Sequence, residues 1–67
     1  MISLMLHAEI YSDSTINDAI SAYGELAVIN KTGVDHGYIK LDFVECKYQE
    51  IKTVKEFENY MIDLENS

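Results

Sequence analysis

The sequence predicts an α+β fold: a single small domain of order β-α-β-β-α, a three-stranded sheet with two helices on one face. Three observations predict it. Residues 38–43 alternate polar and apolar, the two-residue period of a strand with one buried face. Residues 13–26 instead carry apolar side chains at three- and four-residue steps, as an amphipathic helix does, and a second such stretch closes the chain. Each helical stretch has one apolar stripe and so one side to bury, which places both on the same face of the sheet. With 67 residues the chain is one domain, spanning 1–67, with little core to bury and no disulfide to compensate.

Taken in order, residues 1–10 read as the first strand. Ile2, Leu4, Leu6, Ala8 and Ile10 fall on one side, and Ser3, Met5, His7 and Glu9 on the other. Tyr11-Ser12-Asp13-Ser14 is rich in N-cap residues, and either Ser12 or Asp13 suits the cap of a helix over 13–26. Asp13 and Asp18 sit near the positive end of its dipole. Ile16, Ala19, Ile20, Tyr23 and Ala27 form its stripe. Gly24 in its last turn costs about 1 kcal/mol relative to alanine and marks close packing or early fraying.

Residues 27–32 read as a short, polar edge strand, with Val28 and Ile29 its only strongly β-prone apolar residues. Residues 33–37 form a hairpin loop with Gly33 and Gly37 available for positive φ. The central strand, 37–46, points Ile39, Leu41 and Phe43 one way and Tyr38, Lys40 and Asp42 the other. Thr53-Val54-Lys55-Glu56 has the spacing of a capping box and starts the second helix, with Val54, Phe57, Tyr60, Met61 and Leu64 on its buried face. The crossover followed by a hairpin suggests a split βαβ unit, with the third strand between the first and second.

Charge narrows the function. Twelve acidic residues against five lysines, with no arginine, give a net charge of −7. Such a surface repels phosphate backbones, so nucleic acid is not an expected partner. The lone Cys46 fits a reducing compartment, and the apolar run at residues 2–6 is too short to span a bilayer, so the expectation is a cytoplasmic protein that does not enter membranes.

No residue pattern predicts catalytic, cofactor-binding or metal-binding positions, and the chain is not expected to be an enzyme. His7 lies on the open side of the first strand, where a solvated imidazole is the ordinary reading. His36 sits beside Gly37, where a turn tolerates unusual φ. Cys46 has no second cysteine at metal-site spacing and reads as a small, mostly buried thiol. What remains is a contact surface. Met5, His7, Tyr38 and Val44 belong to the sheet side away from the helices, and Val28 and Asn30 to the edge of the second strand. A free edge can take up an extended peptide as an extra strand, or pair with a second copy to give a homodimer.

Several stretches resemble the HxsD-like proteins, the D component of the His-Xaa-Ser system. They are Ile10-Tyr11-Ser12 before the first helix with Ala19-Ile20 and Ala22-Tyr23, then Tyr38-Ile39-Lys40-Leu41-Asp42-Phe43 with Cys46-Lys47-Tyr48, and the closing segment from Thr53 to Leu64. The resemblance implies a setting beside radical S-adenosylmethionine enzymes that modify ribosomally made peptides. The chain lacks the cysteine triad of such an enzyme. The expected role is a non-enzymatic accessory or binding protein, with a precursor peptide or the radical-SAM maturase as partner. The alternative is a small self-associating structural protein without a peptide ligand.

Overall fold

In a computed structural model of the chain the elements follow the expected order: β1 (Ile2–His7), α1 (Asp13–Ala22), β2 (Ala27–Asp35), β3 (Tyr38–Cys46) and α2 (Glu50–Glu65). The structure describes residues 1–67, with the side chains of Val34 and Asp35 left outside the description. The strands form one sheet in the order β1-β3-β2, antiparallel at both junctions. β3 is therefore the centre, and β1 and β2 are edges running parallel to each other. No described helix is long and apolar enough to cross a membrane.

The core lies entirely on one side of the sheet. Leu6, Ile39, Leu41 and Phe43 project from it to meet Ile16 and Ala19 of α1 and Val54, Phe57 and Met61 of α2, all buried. Phe57 is the hinge of this packing. Its ring meets Phe43 edge-on at 5.2 Å and Tyr23 edge-on at 5.3 Å, the arrangement that aromatic quadrupoles favour. Two polar ties fix α1 between the other layers. The Glu65 carboxylate at the end of α2 accepts from the hydroxyls of Thr15 and Ser12, placing negative charge at the positive end of α1. Lys31 of β2 lies 3.2 Å from Asp13.

Four boundaries differ from the sequence expectation, each for a local reason. β1 stops at His7 rather than residue 10. The amides of Ile10 and Tyr11 both donate to the His7 carbonyl, 3.1 and 3.2 Å, turning the chain off the sheet, so Ala8 and Ile10 are exposed instead of lining the core side. α1 is capped by Ser12, whose Oγ accepts from the Thr15 amide at 3.2 Å, and it ends at Ala22 rather than 26. The Leu26 and Ala27 amides both donate to the Tyr23 carbonyl at 2.9 Å, so Ala27 opens β2 and is buried there.

The hairpin is tighter than a five-residue loop. β2 continues to Asp35 because Gly33, at φ 67°, forms a bulge between the pairs Thr32↔Lys40 and Val34↔Ile39. Only His36 and Gly37 remain to turn, at φ 52° and 82°, a two-residue turn with both φ positive. α2 begins at Glu50, not at Thr53. Gln49 Oε1 accepts from the Lys52 amide at 2.6 Å, and Thr53 is a buried helical residue whose hydroxyl donates to the Gln49 carbonyl at 2.9 Å. The capping box does not form, because its threonine is satisfied one turn back and its side chain is needed against the core.

Removing the Phe57 ring would cost about 3–5 kcal/mol. A domain of this size holds only about 3–5 kcal/mol in total. Phe57→Ala should therefore leave the chain largely unfolded at room temperature, with the loss of native circular dichroism as the readout.

Candidate functional site

The strand alternation that buries Ile39, Leu41 and Phe43 presents Tyr38, Lys40, Asp42 and Val44 on the opposite face, which neither helix covers. Register then assembles its neighbours. Ser3↔Asp42, Met5↔Lys40 and His7↔Tyr38 pair from β1, and Asn30↔Asp42 and Thr32↔Lys40 pair from β2. All six expected contact residues, Met5, His7, Val28, Asn30, Tyr38 and Val44, thus belong to one surface rather than to a face and a separate edge.

That surface has three zones. At one end the His7 and Tyr38 rings lie 4.4 Å apart, tilted by 44°, with Tyr38 half-buried by the contact. The middle is a polar belt across all three strands. Asp42 accepts from Ser3 Oγ at 2.6 Å and from Thr32 Oγ1 at 3.2 Å, and Lys40 Nζ stands 3.8 Å away. At the far end Val28 and Val44 are exposed. Val44 is there because the register shifts between Val28↔Glu45 and Ile29↔Phe43, leaving it as an extra residue without a partner on β2, beyond the reach of β1. Met5, 52 % exposed, stands beside the belt on β1.

The belt is the feature that residue-by-residue reading missed. Its signal was the outward parity of Ser3, Thr32 and Asp42, which identifies a network only once the register is known. The donated hydroxyl of Ser3 holds the Asp42 carboxyl below its ordinary 3.8, with Thr32 and Lys40 adding to the effect and partial burial opposing it. The face therefore carries an Asp42–Lys40 ion pair at its centre, hydrogen-bonding groups around it and apolar or aromatic side chains at both ends. This suits contact with another chain.

The titratable residues singled out earlier do not converge. His7 and the His36 turn sit at one end of β3 and Cys46 at the other, roughly 25 Å away at about 3.3 Å per residue. Burial pushes the Cys46 thiol up, the Glu50 charge pushes the same way, and the N-terminal ammonium opposes them, so the thiol is not an activated nucleophile. Among the described residues no group of three His, Cys, Asp or Glu side chains is placed to hold a metal ion. On the helical side, Tyr23, Leu26, Tyr48, Lys52 and Glu56 border an open cleft of about 290 Å³. Burial, and then the charge of Glu56, raises the Tyr23 phenol, which stays protonated and packs on Phe57.

No family model, curated protein or solved structure matches the chain.

Because the folded Asp42 carboxyl is depressed, the unfolded chain takes up that proton first as pH falls. Its contribution is complete above the ordinary value of 3.8 and is lost as pH drops through the folded value. Asp42→Asn should thus lower the urea midpoint at neutral pH, and the gap to the wild type should close below pH 3.8. Two curves that stay parallel into acid would show that the belt does not depend on the charge.

Proposed function

We propose that the chain is a non-enzymatic accessory protein of a ribosomal-peptide maturation system built around a radical S-adenosylmethionine enzyme. In this reading the outer sheet face and the edge of β2 hold the precursor peptide or dock on the maturase. One observation carries the choice of surface: Met5, His7, Val28, Asn30, Tyr38 and Val44, from three strands, meet on the face that no helix covers. The maturation setting comes from the sequence resemblance. An extended segment added along β2 would satisfy its outward backbone groups and lay alternate side chains over Val28 and Asn30. The net charge of −7 favours a basic segment. A second reading is a small self-associating structural protein without a peptide ligand, its interface on that same sheet face.

Affinity capture from the native lysate, read by mass spectrometry, compares the tagged chain with its Tyr38→Ser/Val44→Ser variant. The wild type should retain a short precursor peptide or a radical enzyme. The variant, folded by circular dichroism, should lose recovery at least about tenfold, as for central apolar contacts. Equal recovery by both would remove the face assignment.

A further inference from the structure

Beyond that reading, we propose that the chain forms a two-fold dimer through the free edge of β1 and the flank of α2 beside it. The edge comes first. The Ala8 amide donates to the Gly37 carbonyl at 2.8 Å and continues the β1–β3 register by one pair. In an antiparallel ladder alternate residues share bonds with the neighbour, so Leu6, Leu4 and Ile2 bond to β3 while the N–H and C=O groups of Ser3 and Met5 and the N–H of His7 point away from it, the His7 carbonyl being taken by Ile10 and Tyr11. β2 is defended against pairing by its Gly33 bulge and by Lys31. β1 has neither device: it is regular over its six pairs and carries no Asp, Glu, Lys, Arg or Pro.

The helix flank supplies the complementarity. Tyr60 packs on Tyr23 at 5.7 Å, and Glu56 borders the same cleft, so that flank of α2 faces α1. α1 leans toward β2 through Asp13 and Lys31, whereas α2 packs on β1 and β3. The opposite flank of α2, with Ile51, Lys55, Glu58 and Ile62 at helical spacing, therefore overlooks the β1 edge. Ile51 is 56 % and Ile62 43 % exposed, and among the described residues neither Lys55 nor Glu58 has an ion-pair partner.

Read in either direction this flank is the same with its charges exchanged. A two-fold axis between Lys55 and Glu58 sets Ile51 on the partner's Ile62 and Lys55 on the partner's Glu58. The same axis serves β1. The Met1 ammonium, 3.4 Å from Glu50, aligns the starts of strand and helix, and the Glu65–Thr15 bond places the other end of α2 beyond the end of β1. From there the helix midpoint lies about 10 Å along at roughly 1.5 Å per residue, and Leu4 lies a like distance along at roughly 3.3 Å per residue. Antiparallel pairing about Leu4 puts Ser3 opposite the partner's Met5 and Ile2 opposite the partner's Leu6, making one six-stranded sheet whose uncovered face is continuous.

Sedimentation velocity on the purified chain tests this. The wild type should sediment at twice the 7.7 kDa of one chain. Lys55→Glu or Glu58→Lys alone should weaken the dimer at least about tenfold, since each turns two attractive contacts into two repulsive ones. The double exchange Lys55→Glu/Glu58→Lys should restore it, and Met5→Lys should give a monomer that keeps its circular dichroism. A wild type that stays monomeric to millimolar concentration overturns the proposal and leaves the β1 edge to a foreign strand. A dimer indifferent to both single reversals overturns it as well.

Discussion

The contact of Phe43 on Phe57 joins the sheet to the second helix, and the rest of the fold depends on it. Among the described strands β3 is the one paired on both sides, and Phe43 is its buried aromatic side chain. Phe57 receives that ring on one side and Tyr23 of the α1 cap on the other, so sheet, α1 and α2 meet at one point. A chain of 67 residues has apolar area for one such core and no more. The second face of the sheet is left uncovered for the same reason, and both proposed interactions use what that one-sided core leaves open.

The uncovered regions differ in chemistry, which separates their roles. The outer face holds an ionised Asp42 in a belt of hydroxyls, with aromatic and apolar ends, and it abuts the bulged, lysine-bearing edge of β2. The β1 edge is neutral and regular, beside a helix flank whose charges match their own reversal. A partner of opposite charge suits the first, and a second copy suits the second. The two surfaces meet at Met5, Ser3 and His7, whose side chains belong to the face and whose outward backbone belongs to the edge.

Much of the architecture was legible because it follows from period and side. Alternation in residues 38–43 and one stripe per helix are enough to give the element order, the central position of β3 and the common face of the helices. The start of α1 was legible from the ordinary cap at Ser12, and the start of β2 at Ala27 and the end of β3 at Cys46 fall where expected. Thr53 misled because a capping box and a buried threonine bonded one turn back look alike in sequence. The length of β2 was hidden because Gly33 can end a strand or carry a bulge through it, and only pairing with Lys40 and Ile39 decides. Met5, His7, Tyr38 and Val44 lie on the open face as their parity indicates, and the register adds Val28 and Asn30 to it. The Asp42 belt and the α2 flank were not found, since each depends on distances between elements that sequence spacing does not contain.

The central claim is that the uncovered side of this one-sided fold is where other chains meet it, beginning with a second copy at β1. Residue-resolved amide hydrogen exchange, run on the purified chain at low and at high concentration, tests it most directly. The account predicts that the outward amides of Ser3, Met5 and His7 exchange freely when dilute and become protected when concentrated, while the outer edge of β2 exchanges alike in both. Exchange at Ser3, Met5 and His7 that does not change with concentration, or protection that appears on β2 instead, would contradict it.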